Sequence, residues 1–329
     1  MKKGIWVGLA LVLTLGILTS AASSAEKVRL VLDWIIAGRH TPYYVALDKG
    51  YWRKGGLDVS ISRGYGGSKG ARIVASGGAD IGFAGPGPAL ISRAKGAPLV
   101  IVSVFYAKAP FVIISKKKTG IRVPKDLEGK TFGASAGSSA RAMFPAFAKV
   151  TGIDPKRVKW LTMSSSAYTA SLLAGKVDMV QNFLFDTIQY KRLDPAKHGQ
   201  FSFLLLADHG FDIYANGLMT TEKYVKNKPG SLRTFVSGAV KGYGWAMRNP
   251  KEANRIFTKH QSTLDPSIAL AEIDVLRDLV LTEGAKKHCI GWIDRDKLVR
   301  TRDIMFSARN VKATVDIDQA YTTKFLPCG

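Results

Sequence analysis

The segment Val74-Ala75-Ser76-Gly77-Gly78-Ala79-Asp80 is echoed 98 residues later by Leu172-Leu173-Ala174-Gly175-Lys176-Val177-Asp178. Each copy reads as a helix stopped by glycine, then a strand entered through aspartate. Gly56-Leu57-Asp58 is echoed in the same way by Gly152-Ile153-Asp154. A period near 100 residues is too long for a solenoid unit, so the chain should build two similar lobes.

Both lobes read as α/β. The first alternates strands at Val28 to Leu32, Leu57 to Ile61, Ala79 to Phe83 and Leu99 to Phe105 with helices at Tyr43 to Lys49 and Ala71 to Ala75. The pattern restarts with a strand at Lys130 to Ala134, a helix at Ala140 to Val150 and a strand at Arg157 to Leu161. Strands alternating with helices predict a mostly parallel sheet covered on both faces. Extended runs at Phe111 to Ser115 and Ile213 to Thr220 are the candidate crossings between lobes. The end is mainly helical, over Ser231 to Arg248, Lys251 to His260, Ser267 to Leu281 and Asp294 to Phe306. The expected division is residues 26–115 and 216–329 for a discontinuous first lobe and 116–215 for the second.

Lys2 and Lys3, the apolar run Ile5 to Ile17 and the small residues Ser20 to Ala25 follow the order of a secretory signal peptide, with cleavage expected after Ala25. The competing reading is a retained anchor, since Gly4 to Ala22 spans about 19 mostly apolar residues against the roughly 20 a membrane needs. With no cysteine in the first 25 residues, lipid attachment at the cleavage site is excluded, and a soluble periplasmic protein is expected. Cys289 and Cys328 form an even pair that suits a disulfide in an exported chain, with two separate buried thiols as the alternative.

Lys and Arg number 48 against 25 Asp and Glu. Apart from Lys116 to Lys118 they are scattered through every segment, which argues against a nucleic-acid footprint. A positive field favouring anionic small molecules or an acidic partner is the milder inference.

In open α/β sheets, ligands bind beyond the carboxyl ends of the strands. Those segments here carry Asp33-Trp34 and His40, Arg63-Gly64-Tyr65-Gly66-Gly67-Ser68, Ser135-Ala136-Gly137-Ser138-Ser139, and Phe183-Leu184-Phe185-Asp186. Trp34, Tyr44, Tyr65, Tyr106, Phe183 and Phe185 are candidates to line a cleft, Trp34 and Tyr65 to stack on a planar ligand. Gly66 and Gly137 would let backbone approach that ligand. Ser135, Ser138 and Ser139, at a helix start, suit an acidic group, although a serine there is also an ordinary cap. His40 and Asp186 would read polar ring substituents.

Gly66-Gly67-Ser68-Lys69-Gly70 fits G-x-S-x-G, which opens a serine hydrolase reading with Ser68 as nucleophile. No oxyanion loop accompanies it. No phosphate-binding loop, metal-ligand spacing or cofactor fingerprint is present, so no catalytic residue, metal or cofactor is expected.

Leu32-Asp33-Trp34, His40-Thr41-Pro42-Tyr43-Tyr44-Val45-Ala46, Lys49-Gly50-Tyr51-Trp52, Gly56-Leu57-Asp58-Val59 and Gly64-Tyr65-Gly66-Gly67-Ser68 together resemble the periplasmic solute-binding proteins for sulfonate, nitrate and taurine and their thiamine-pyrimidine-precursor relatives. The resemblance covers most of residues 28–220. It implies a type II periplasmic binding protein fold whose cleft closes on a nutrient and presents it to an ABC importer permease. The Asp-Trp pair and downstream histidine are closer to the pyrimidine-precursor branch, where counterparts of Trp34 and His40 lie at the ligand. Asp186 stands where a glutamate is usual, and Gly85 where an aspartate is frequent. The eukaryotic pyrimidine-precursor synthase shares this fold, but its cysteine-rich motif is absent here. A monomeric receptor, not an enzyme, is the reading that follows, with an aliphatic sulfonate, taurine or nitrate as the alternative ligand.

Overall fold

The computed structural model describes residues 24–136, 138–194 and 199–329. The expected signal peptide therefore lies outside the described residues, apart from Ser24 and Ala25. Among the described residues no helix is long and apolar enough to cross a membrane.

Two five-stranded sheets carry the fold. The first contains β1 (Glu26–Val31), β2 (Leu57–Ser62), β3 (Ile81–Ala84), β4 (Leu99–Val104) and the late strand β10 (Gly217–Thr221), in the order β2-β1-β3-β10-β4. The second contains β5 (Phe111–Lys116), β6 (Thr131–Ala134), β7 (Lys159–Thr162), β8 (Met179–Phe183) and β9 (Phe201–Leu205), in the order β7-β6-β8-β5-β9. Helices α1 (Thr41–Asp48), α2 (Gly67–Ala75) and α3 (Pro86–Arg93) belong to the first lobe, and α4 (Ser139–Thr151), α5 (Tyr168–Leu173) and α6 (Thr187–Arg192) to the second. The end of the chain supplies α7 (Glu222–Asn227), α8 (Pro229–Arg248), α9 (Pro250–His260), α10 (Pro266–Val280), α11 (Glu283–Lys287) and α12 (Arg295–Ala308).

The sheets are mixed rather than parallel throughout. β1 runs parallel to β2 and β3, while β10 is antiparallel to β3 and β4. In the second sheet β6 runs parallel to β7 and β8, and β5 is antiparallel to β8 and β9. Each antiparallel strand is the one delivered by a crossing. A chain leaving one sheet at its carboxyl edge enters the other at the facing edge, so it must run against the strands already there. Because β5 pairs wholly within the second sheet, the first crossing lies between Val104 and Phe111, and the expected boundary after residue 115 moves back. The crossings are tied together: the Phe105 and Tyr106 N–H groups donate to the Asn216 carbonyl at 2.9 and 2.8 Å, and Ala215 N–H donates to the Tyr106 carbonyl at 3.0 Å.

The echoed motifs do the same work in both lobes. Gly77 and Gly175 follow α2 and α5 with φ of +77° and +73°, a left-handed conformation that ends the helix at little steric cost in glycine. Asp80 then accepts the Arg29 N–H and Asp178 the Thr131 N–H, each at 2.8 Å, clamping the entry of β3 to β1 and that of β8 to β6. In the first lobe Arg29 adds an ion pair to Asp80 at 2.9 Å.

The largest core cluster lies between the first sheet and helices α1, α8, α9 and α10. Trp52 stacks on Phe235 with ring centres 5.0 Å apart, and its indole N–H donates to the Phe235 carbonyl at 2.9 Å, so the polar end of a fully buried ring is satisfied. The helical end is not confined to one lobe. Leu298 and Phe306 of α12 enter the first lobe's core, whereas Ile304, Met305 and Ala308 pack on that of the second. Cys289 and Cys328 are joined by a disulfide with Cα atoms 6.0 Å apart. The segment it anchors bridges Tyr321 to Ile101, and Gly291 bridges Val104, which covers the otherwise open edge of β4.

Candidate functional site

The carboxyl edge of the first sheet is built by two interlocked loops. The Gly64 N–H donates to the Trp34 carbonyl and the Gly66 N–H to the Asp33 carbonyl, both at 2.8 Å. Gly66 holds a φ of +100°, and the Trp34 ring lies above it, 3.8 Å from where a Cβ would stand. Trp34 and Tyr65 are each about half exposed, at 49% and 52%. Tyr65 is flanked by Arg63 and Lys69, whose charges lie 4.6 and 4.3 Å from its ring centre.

Behind these rings sits Asp33. Its Oδ1 accepts from His40 Nε2 and its Oδ2 from Asn216 Nδ2, both at 2.7 Å. Burial by itself would raise the Asp33 pKa, but these hydrogen bonds and the Arg39 charge outweigh it and hold the carboxyl below the ordinary range. His40 has no exposed surface, and its Nδ1 accepts the Ala37 N–H at 3.1 Å, which assigns the ring proton to Nε2. Both ring nitrogens are thus committed within the protein. The expectation that His40 would read a ligand atom is corrected: it orients Asp33 instead. Tyr44 is also displaced from the site, because its ring is buried against Phe257 and His260 and its hydroxyl accepts from Gln261. Tyr106 and Phe185 are core residues beneath the cleft.

The second lobe contributes Phe183, 46% exposed and leaning on Phe111 with centres 5.4 Å apart. The Phe183 N–H donates to Asp186 Oδ2 at 3.0 Å. Burial raises the Asp186 pKa despite that bond and the opposing charge of Arg39. Ser135 donates its N–H to the Tyr168 hydroxyl at 2.7 Å, and Ser138 caps α4 by accepting the Arg141 N–H at 3.3 Å. Gly137 and the side chain of Ser139 fall outside the described residues. The Ser138 cap leaves its hydroxyl hydrogen free to donate to an anion.

Arg39 was not among the expected site residues. Its N–H donates to Glu272 Oε2 at 2.8 Å, its guanidinium lies 3.5 Å from Glu272 Oε1, and it stands 5.5 Å above the Phe185 ring. Burial raises the Glu272 pKa, with Arg39 opposing it. Arg39 follows no strand directly and occurs in no motif, so only the fold of α10 against residues 38–40 reveals it.

Two hollows of about 550 and 600 Å³ open beside the crossings, sharing Lys108 and Asp208 in their linings. None of Trp34, Tyr65, Ser138, Phe183 or Asp186 lines either. The half-exposed rings lie outside both hollows. Ser68, the nucleophile of the hydrolase reading, is exposed on the first turn of α2, and the carboxylate-bound histidine has no nitrogen to spare for it. Among the described residues no group of His, Cys, Asp and Glu could hold a metal.

Two α/β lobes joined by paired crossings, with aromatic and ionisable side chains at the carboxyl edges, define a type II periplasmic binding protein fold. A family model described as NMT1/THI5 like matches residues 37–253, and the chain belongs to that family. It is 25% identical to the riboflavin-binding protein RibY of Chloroflexus aurantiacus over 94% of this chain and 89% of that one. It is 26% identical to a formylaminopyrimidine-binding protein of Halalkalibacterium halodurans, over 72% and 71% of the two chains. A protein of Legionella pneumophila named 4-amino-5-hydroxymethyl-2-methylpyrimidine phosphate synthase is 23% identical over 93% and 94%. Among solved structures, the aliphatic sulphonate binding protein SsuA of Escherichia coli superposes with a TM-score of 0.71 over 90% of this chain and 91% of its own, at 16% identity.

Proposed function

We propose that the protein is the periplasmic receptor of an ABC-type nutrient importer, binding a small planar compound of anionic or zwitterionic character such as a thiamine pyrimidine precursor. The observation that carries the reading is the pair of half-exposed rings, Trp34 and Tyr65, mounted on interlocked loops beside the partly buried carboxylate of Asp33. The rings stack on the ligand, Asp33 and Asp186 receive its amino groups, and Ser135 to Ser139 hold its acidic group. Relatives named for binding riboflavin and formylaminopyrimidine, both planar heterocycles, support this. The ligand is bound and released unchanged, and closure of the lobes presents it to a permease. The protein acts as a monomer after removal of residues 1–25.

Native mass spectrometry of protein purified from its own host tests the proposal. A stoichiometric aromatic heterocycle released on denaturation is the expected result. A bound alkanesulfonate would replace the heterocycle reading with the sulfonate one. Conversion of a pyridoxal phosphate or pyrimidine probe to a new product would overturn the non-enzymatic reading.

A further inference from the structure

One cation at the carboxyl edge of the second lobe stands out by how it is held. Arg141 lies in the first turn of α4, where a helical side chain runs back toward the helix start. Its guanidinium rests on the Trp160 indole, 4.7 Å from the ring centre, and Nη2 donates to the Thr162 hydroxyl at 2.8 Å. Both supports come from β7, and Thr162 is the last residue of that strand, at the edge where open sheets bind ligands. Among the described residues no carboxylate lies within ion-pair distance of it, a condition it shares with Arg63, Arg233 and Arg277 but not with Arg29, Arg39, Arg157 and Arg295. Its Nε is moreover buried with no hydrogen-bond partner among the described residues. A polar atom in that state calls for an explanation, such as strain, a water or an ion.

We propose that Arg141 is the counter-ion for a tetrahedral oxyanion, phosphate or sulfonate, carried by the ligand. This assigns it the preference for such a compound over its neutral parent. A guanidinium fixed flat by an aromatic ledge has lost its rotamer freedom before the ligand arrives, so little further ordering opposes binding. The Ser138 hydroxyl and the amide end of α4 supply the remaining donors, and the acidic group fills the charge that the fold leaves unpaired. The inference rests on the receptor reading above.

Titration calorimetry on the mature chain tests it with two matched pairs. They are 4-amino-5-hydroxymethyl-2-methylpyrimidine with its phosphate, and an alkanesulfonate with the alcohol of equal chain length. The wild type should prefer the oxyanion member of at least one pair by about tenfold or more, the size of a charge-assisted contact. Arg141→Gln should reduce that preference to within about twofold and leave the neutral parent's affinity unchanged, with Arg141→Lys intermediate and all three proteins melting cooperatively. Which pair responds separates phosphate from sulfonate. Equal affinity for both members in the wild type, or a preference that survives Arg141→Gln, overturns the assignment and leaves the receptor reading intact. No binding of any member overturns the oxyanion assignment, and the receptor reading then stands or falls on the mass-spectrometric test above.

Discussion

Three carboxylates near the cleft are set by different surroundings, and their pH responses have opposite signs. Asp33 is held below the ordinary carboxyl range, so its stabilisation is present above the unfolded value, about 4, and is lost as pH falls through the depressed one. Burial raises Asp186 and Glu272, so each binds protons more tightly when folded, and stability declines as pH rises from the ordinary range through the raised value. Asp186→Asn keeps an acceptor for the Phe183 N–H and removes the partly buried charge. The empty variant should melt higher than wild type at pH 7, an advantage that fades near pH 4, while affinity for an amino-bearing ligand falls. Thermal melts across pH 4 to 8 check this, and a lower melting temperature at pH 7 would refute it. Asp33→Asn instead sets an amide nitrogen against either His40 Nε2 or Asn216 Nδ2, donor against donor. It should cost about 1–3 kcal/mol in urea unfolding. Trp34→Ala removes an exposed ring, so the melting temperature should hardly change while affinity for a planar ligand drops by about tenfold or more, as loss of a stacked aromatic contact predicts.

At the scale of elements, the chain's last segment protects the first sheet. β4 is an edge strand, and pairing at Ile101 and Val104 by Tyr321 and Gly291, both within the loop that the disulfide closes, prevents it from templating another chain. Removing the crosslink with Cys289→Ser and Cys328→Ser should lower unfolding free energy by about 3–4 kcal/mol, since the bond closes a span of 39 residues. Reduced and oxidised wild type compared in guanidinium should differ by the same amount. Agreement between the double variant and oxidised wild type would show that edge pairing alone suffices.

For the whole molecule, contacts already join the lobes away from the crossings. α12 packs on both cores, and Arg192 of α6 pairs with Asp265, the cap of α10, at 3.2 Å. These contacts restrict the directions in which one lobe can swing over the other. Small-angle scattering with and without a tightly bound ligand should show a smaller radius of gyration in the complex, while Trp34→Ala, with weakened binding, stays unchanged at the same ligand concentration. An identical radius in both states would mean that the cleft is filled without closure.

Much of this architecture was legible in the order of residues. The 98-residue echo announced two lobes, and its glycines and aspartates perform matching tasks because helix stops and strand entries depend on neighbours a few positions apart. The four long terminal helices follow from apolar periodicity and lie close to where the spacing places them. Trp34, Tyr65 and Phe183 could be singled out because strand ends are local features too. The placement of β5 in the second sheet, the antiparallel sense of both delivered strands and the joining of Cys289 to Cys328 were decided by tertiary structure. So were the withdrawal of His40 and Tyr44 into the first lobe and the settings of Arg39 and Arg141. All depend on partners far away in the chain, such as Asn216 for Asp33 and Glu272 for Arg39, and a linear sequence gives no measure of that proximity.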